Sequence, residues 1–330
     1  MEMGCCFFCR SCHVQKKQQP ISIVLLRVAG VYLVCSALLT AIYFPREIDD
    51  FKDTSDALLA SEKYYDAAYQ AGKNNQDPQY VKVAHEEAGR LVLPAMQGFA
   101  KNLGLADKRL LEVGAGSGTL QDIVPNYTAL DISASARRYF HKPFVLASAT
   151  KMPFADGDFD AIMSVWTLEH IPNPELALRE MRRVVKDGGY LILAPAWGCN
   201  EFAAHGYGVR PFSDFDWAGK VGKAYAMVRG FGLFEMLHRI PTRMIRDAQV
   251  LMAGEPSRLY FKRLQPNFKQ YWEPDADAFV SLDKFEMSLW FKSRGDSCLN
   301  CDADLRYDLP NTPLIIQVHK PAAIQQQAQR

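Results

Sequence analysis

The sequence predicts an open, doubly wound α/β sheet for the centre of the chain. Three observations carry that prediction. Short apolar runs alternate with helical patterns from Arg109 to Trp197, as a sheet built from βαβ units requires. The first run, Leu110-Leu-Glu-Val113, opens directly into a glycine-rich turn, Gly114-Ala-Gly-Ser-Gly118. The next run ends on an acid, Asp131, 13 residues after Gly118. Glycine leaves no Cβ between a ligand and the backbone amides. A helix expected to start behind the turn would favour a carboxylate at its N-terminus.

The spacing separates candidate ligands. A dinucleotide fingerprint reads G-x-G-x-x-G with an acid about 20 residues further on. Here the third glycine comes one residue early, with Thr119 in its place, and the acid is early too. The turn also lacks the G-x-x-x-x-G-K-[ST] pattern of a phosphate loop.

The elements follow in order. Strand one is Leu110–Val113, strand two Thr128–Asp131 and strand three Phe144–Ala147. Strand four, Phe159–Val165, follows the turn Asp156-Gly-Asp158. A helix over Pro174–Val185 closes on Lys186-Asp-Gly-Gly189, and strand five is Tyr190–Ala194. Near the C-terminus, Asp283–Gly295 reads as a helix ending at a C-cap glycine, followed by strands at Asp296–Asn300 and Leu314–His319.

Several of these pieces resemble one family. The glycine turn, the acid ending strand two, Met152-Pro-Phe-Ala-Asp-Gly-Asp-Phe-Asp160, Leu168-Glu-His-Ile-Pro172 and Leu178-Arg-Glu-Met-Arg-Arg-Val-Val-Lys-Asp-Gly-Gly189 are similar to the class I S-adenosylmethionine (SAM) dependent methyltransferases. Within that family they resemble the small-molecule, type-11 branch, which includes the ubiquinone and menaquinone C-methyltransferases. The resemblance covers roughly Leu110–Pro195. It implies a Rossmann-like seven-stranded sheet closed by helix, strand and antiparallel final strand, with SAM as cofactor. It also implies that Glu112, Gly114, Ala115, Gly116 and Gly118 surround the methionyl part. Asp131 would accept the ribose hydroxyls, Ile132 would pack on adenine, and Ser148 and Ala149 would meet the adenine edge. Ser148 departs from the pattern, since the family often has Asp there. A serine still accepts a hydrogen bond, and the Ala149 amide donates one.

The rest of the chain divides around this core. Residues 1–20 are a basic, cysteine-rich tail with Cys5, Cys6, Cys9 and Cys12. Cys9-Arg-Ser-Cys12-His13 matches a haem-attachment pattern in letters only, and Cys6, Cys9, Cys12 and His13 are too crowded for an unstrained zinc site. Acylated cysteines beside a membrane segment and unmodified thiols in a disordered tail both stay open. Residues 21–44 read as a transmembrane or membrane-anchor helix, with 17 uninterrupted apolar residues from Val28 to Phe44 and Arg27 able to snorkel. No clean A-x-A site marks it as a cleaved signal peptide. Flanking charge mildly favours a cytoplasmic N-terminus, whereas cytosolic SAM favours a cytoplasmic catalytic domain, and we follow cofactor supply. Residues 45–105 read as linker and N-terminal helices, one running from about Asp77 to Leu103. The resemblance implies that they cover the cofactor cleft, with Tyr64, Tyr65 and Tyr80 as candidate contacts. Residues 106–330 form the catalytic domain, interrupted by an insertion at 198–282.

The insertion is basic and aromatic, with ten Lys/Arg against three Asp/Glu between Ala218 and Gln270. It reads either as a lid over an anionic or lipidic substrate, resting on anionic headgroups, or as a helical cap with a solvated basic face. The formal net charge of +1 gives no global attraction to nucleic acid. The base-methylating tetrapeptide N/D-P-P-Y and the Pro-Cys nucleophile are both missing from the sequence. Eight unevenly spread cysteines do not form a disulfide framework. Cys298 and Cys301 lack a partner pair for zinc and read as strand-end thiols, and no metal is expected. Ile324–Arg330 reads as a disordered tail.

The function expected is methyl transfer to a small-molecule or lipid-like acceptor at a membrane. His170, just past strand four, is the best-placed base, with a loop-fixing role as its structural alternative. His205, Tyr207 and Glu201 flank the other lip of the cleft as substrate-site candidates. A non-catalytic scaffold and, less favoured by the spacing, a nicotinamide oxidoreductase are the competing readings.

Overall fold

The computed structural model describes residues 21–43, 54–71, 85–86, 88–200, 202–229, 232–268, 275–301 and 312–320. The expectations for Cys5, Cys6, Cys9, Cys12, Tyr80, Glu201 and Ile324–Arg330 fall outside these residues.

The sheet has seven strands in the order β3-β2-β1-β4-β5-β9-β8. Its parallel part is β1 (Leu110–Val113), β2 (Tyr127–Asp131), β3 (Phe144–Leu146), β4 (Phe159–Val165) and β5 (Val185–Ala194). The last strand, β9 (Leu314–Gln317), runs antiparallel to β5, and the short β8 (Ser297–Cys298) runs antiparallel to β9. A minor ribbon pairs β6 (Lys262–Arg263) with β7 (Val280–Ser281). Period-two alternation divides the sheet's side chains between two cores. Along β4, Ile162 packs into one cluster with Leu111 and Val113, while Ala161 and Met163 join the other with Leu110 and Ala129.

Three expectations about the sheet need correction. No helix forms behind the glycine turn, where residues 119–122 are turns. Pro125 and the start of β2 at Tyr127 leave too few residues for a helix and a return. Strand β5 begins at Val185, earlier than expected, and absorbs the diglycine turn through a register shift opposite Phe159 and Ala161. A Cβ at Gly189 would lie 2.7 Å from the Asp160 carbonyl oxygen, so only glycine lets the strand start there. Third, Cys298 and Cys301 are joined in a disulfide rather than free.

Helices flank this sheet. Helix α1 (Ile21–Tyr43) is long and apolar, and the one described helix able to cross a membrane by length and composition. Helix α2 (Ser55–Ala71) lies against the loop after β2. The long helix expected before β1 is, where described, a π-helical turn at Ala88–Val92 leading into α3 (Leu93–Asn102), with Pro94 in its first turn. Helix α4 (Pro174–Val184) is amphipathic and buries Ala177, Leu178 and Met181. The insertion contributes α5 (Trp217–Arg229) and α6 (Gly232–Ala253). Helix α7 (Lys284–Lys292) starts at Asp283, whose side chain caps the Phe285 and Glu286 amides.

Candidate active site

Strand order reverses at β1, whose neighbours β2 and β4 lead away on opposite sides. In an open parallel sheet such a switch point leaves a crevice beyond the strand ends. A cleft lies there, its floor made by Gly114, Asp131, Ser148 and Trp166. Helix α2 covers it with Leu58, Ser61, Tyr65 and Tyr69.

The glycine turn is tied to the end of β2. Gly114 N and Ala115 N donate to the Leu130 carbonyl at 2.8 and 3.2 Å, and Gly116 N donates to Asp131 Oδ2 at 2.8 Å. Gly114 has φ +73°, and a Cβ there would meet Thr167 Cγ2 at 2.1 Å. A Cβ on Gly116 would lie 2.6 Å from the Tyr69 hydroxyl. Turn and lid therefore fit only with glycine at both positions.

Asp131 is buried, with Oδ1 accepting the Ser133 amide at 2.8 Å. Burial raises its pKa, and the amides of Ser133, Gly116 and Ile132 pull the other way. Of the expected residues, Gly114, Asp131, Ile132, Ser148, Ala149 and His170 line this cleft together. Glu112, Ala115, Gly116 and Gly118 are not among its lining. Glu112 is buried inside the sheet and accepts the Tyr127 hydroxyl, with burial pushing its pKa up to about 8. Gly118 faces Gln121 and Phe140 instead of the cleft.

A polar cluster forms the other wall. His170 sits in the 3₁₀ turn after β4 with a side chain 12% exposed. Its Nδ1 lies 3.6 Å from Asp277 Oδ2, and its Nε2 lies 3.8 Å from Glu169 Oε1. Tyr65 reaches down from α2 and donates to Asp277 Oδ2 at 2.7 Å. The Phe279 amide donates to the Glu169 carbonyl at 2.9 Å, fixing the segment that carries Asp277. Burial pulls the His170 pKa down, but Asp277 and Glu169 outweigh it, so the imidazole titrates above its ordinary value. Burial raises the pKa of Glu169, although Oε1 accepts the Ala196 amide at 2.9 Å. The non-glycine residues with positive φ among those described, Trp166 and Asp275, belong to this region: Trp166 lines the cleft and Asp275 acts electrostatically on His170. Such conformations recur at functional sites because the surroundings hold them in place.

His205 is elsewhere. It stacks on Tyr207 with ring centres 5.2 Å apart and lines a separate, open cavity with Phe202, Lys262, Arg263 and Phe268. A run of rings connects that cavity to the cleft. Phe268 meets Tyr64 at 4.7 Å, Tyr64 meets Tyr65 at 5.1 Å, and Tyr65 meets His170 at 5.8 Å. Sequence reading missed Trp166, Thr167 and Asp277. The first two stand at the carboxyl end of β4, a position that itself marks cleft residues. Asp277 is 107 residues from His170 and gave no local signal.

Residues 111–193 match the family model described as "Methyltransferase domain". The chain is 38% identical over 96 residues to a demethylmenaquinone methyltransferase of Renibacterium salmoninarum, an alignment spanning 26% of this chain and 40% of that protein. It is 31% identical over 133 residues to a phthiotriol/phenolphthiotriol dimycocerosates methyltransferase of Mycobacterium ulcerans, spanning 36% of this chain and 52% of the relative. Among solved structures, a SAM-dependent methyltransferase of Thermotoga maritima aligns over 79% of this chain and all of its own, with 16% identity and a TM-score of 0.42. The chain thus spans about half the length, or less, of these two curated relatives. With the glycine turn, Asp131 and the seven-stranded order already in place, residues 111–193 form the core of a class I SAM-dependent methyltransferase domain of the type-11 group.

Proposed function

We propose that the chain transfers a methyl group from SAM to a small or lipid-like acceptor at a membrane. The observation that carries this reading is Asp131, a buried acceptor in the cleft wall whose two oxygens each hold one backbone amide. A carboxylate oxygen accepts more than one hydrogen bond, so Asp131 keeps capacity for both ribose hydroxyls. Ile132 and Ala149 offer apolar surface to adenine, and Ser148 offers a polar edge. Gly114 lets the methionyl end approach the backbone. Glu112 supports the turn from inside the sheet.

SAM supplies a methyl group already activated by its sulfonium. The chain's residues must orient the acceptor, exclude water and remove a proton where the acceptor carries one. Tyr65 and Tyr69 close the cleft from above. His170 takes the acceptor's proton, and Asp277 stabilises the imidazolium with Glu169. Tyr65 holds Asp277 in position. A base arranged in this way suits a hydroxyl or an activated carbon acid better than a tertiary amine or a thiolate, which carry no proton to remove. The cavity lined by His205, Lys262 and Arg263 is our candidate for the acceptor's far end.

We read α1 as the membrane anchor and residues 106–330 as the catalytic domain on the cytoplasmic side. The anchor is supported by the apolar length of α1, roughly 30 Å at the helical rise, and by its exposed apolar side chains, and the side by the supply of cytosolic SAM. The relatives named for menaquinone and for phthiotriol dimycocerosate lipids agree with a lipid-like acceptor.

Calorimetric titration of the detergent-solubilised full chain with SAM, with NAD as control, tests the cofactor assignment. Micromolar SAM binding without NAD binding is expected, and the reverse would overturn it. Incubation with methyl-labelled SAM and a membrane-lipid extract then tests transfer. Label confined to water-soluble products would remove the lipid-like acceptor. Retention of the full chain in the membrane pellet through alkaline carbonate washing tests the anchor.

A further inference from the structure

Helix α6 carries its polarity the wrong way round for a helix in water. Arg243 is buried and pairs with Asp283 at 2.9 Å. Arg246 is buried and makes a two-pronged pair with Glu286 at 2.8 and 3.0 Å, with its guanidinium 3.8 Å from the Tyr260 ring centre. The exposed side is apolar. Met244, Ile245, Ala248, Leu251 and Met252 are all exposed, at offsets of one, four, seven and eight residues from Met244. That spacing is one continuous stripe on a helix with 3.6 residues per turn. Leu251 and Met252 are 83% and 86% exposed.

Helix α5 repeats the pattern in part, with the exposed Lys220 among its apolar side chains. Trp217, Val221 and Tyr225 follow one another at four-residue spacing on its exposed side, joined by Met227. Lys223 instead turns in to donate to the Arg210 carbonyl and to lie over the Phe212 ring. A solvated amphipathic helix has the opposite arrangement, and contiguous apolar surface of this kind marks a contact face.

Two observations identify what covers it. The stripe continues from the docking site of α1: Ser36 Oγ of α1 donates to the Leu237 carbonyl of α6 at 2.6 Å, and Ser36, Thr40, His238 and Thr242 are buried. Lipid-exposed apolar surface on α1 therefore runs on into the exposed side of α6. The insertion also exposes the cations Lys220 and Lys262, complementary to anionic headgroups. We propose that α6, assisted by α5, is a second membrane-contact element, lying in the interface of an anionic bilayer with its apolar stripe among the acyl chains. The proposal rests on the reading of α1 as a membrane anchor. It implies that the catalytic domain is clamped to the lipid surface rather than tethered above it.

The test uses the full chain in vesicles of phosphatidylcholine and phosphatidylglycerol. A photoreactive benzophenone amino acid replaces Leu251 or Met252, and Lys101, exposed on α3, serves as the comparison site. SAM binding by each variant establishes that it is folded. Flotation shows whether the chain is on the vesicles, and intact mass after irradiation identifies adducts. Flotation with several-fold more lipid adduct at residues 251 and 252 than at 101 is expected. Flotation with adducts no higher than at Lys101 overturns the contact face and leaves the α1 anchor standing. Chain-to-chain adducts at residues 251 and 252 overturn it in favour of a second copy. Failure to float overturns both readings together.

Discussion

The cleft edge of the sheet and the helical insertion solve burial in opposite ways. In the sheet, apolar side chains fill both cores, and the buried carboxylates Asp131 and Glu169 hold backbone amides. In the insertion, α6 buries its arginines against α7 and leaves its apolar stripe outside. The sheet follows the ordinary rule for a domain in water. The insertion follows it only if one side of the molecule does not face water. Its polar pairs therefore hold the helix in place with only a small apolar contact beside them, Val250 against Phe285 and Leu289.

The sharpest way to break this contrast is at Arg246. Replacing Arg246 by Ala leaves Glu286 buried without its partner, and loss of one member of a buried pair costs roughly 3–5 kcal/mol. Urea unfolding of the detergent-solubilised chain should show that loss. Arg246→Met combined with Glu286→Leu should recover most of it. Leu251→Ala on the exposed stripe should cost less than Arg246→Ala in the same detergent, because Leu251 is 83% exposed and packs on little of the chain. If the Leu251 change proves the more damaging, α6 is held by its apolar side and the contrast disappears.

The matching test in the sheet is at Gly114. Gly114→Val places a branched side chain at positive φ and in conflict with Thr167. Strain and overpacking together cost roughly 3 kcal/mol. Gly188 also has positive φ, but a Cβ there meets nothing within 4 Å, so Gly188→Ala should cost only about 1 kcal/mol. Equal effects at the two glycines would mean that backbone conformation, rather than the approach of Thr167, fixes the turn.

The sheet was legible in the sequence where neighbouring residues set the signal. Strands β1 and β4 fell at their expected limits because alternating apolar runs ended in glycine or turn residues. Asp131, Ile132, Ser148 and Ala149 lie at strand ends, so topology alone brought them into one cleft. The diglycine after α4 misled, because glycine serves both a turn and a strand whose neighbour approaches too closely for a Cβ. The insertion was least legible. Its lysines and arginines pointed to a basic face, yet Arg243 and Arg246 face inward because Asp283 and Glu286 lie beside them in space. Asp277 was hidden for the same reason, since only tertiary folding brings it to His170.

Within the cleft, Asp131→Ala tests whether the buried acceptor serves a ligand or only the turn. Loss of hydrogen bonds to a charged acceptor costs about 2 kcal/mol, a roughly 30-fold weaker SAM affinity by calorimetry. Asp131→Asn should lose less, since its carbonyl oxygen still accepts. Unchanged affinity with lowered stability would assign Asp131 to the turn alone.

The smallest effect expected is the most specific to chemistry. Asp277 and Glu169 hold the His170 pKa above its ordinary value against the opposing pull of burial. As a base, His170 works only when neutral, so the rate should fall as the pH drops through that raised pKa. Asp277→Asn removes the largest of the three carboxylate contributions, ahead of Glu169 and Asp275. It should move both the acid limb of the rate profile and the His170 imidazole resonance titration to lower pH. Stability must move with them. A raised histidine pKa stabilises the fold fully below about pH 6.5, and that contribution disappears as the pH rises through the folded value. Asp277→Asn should therefore lower stability more at acid pH than at alkaline pH. Tyr65→Phe keeps the ring contact but removes the hydroxyl bonded to Asp277, and it should reduce the rate with little change in SAM affinity. A purely structural His170 would show the stability change while the acid limb stayed where it was.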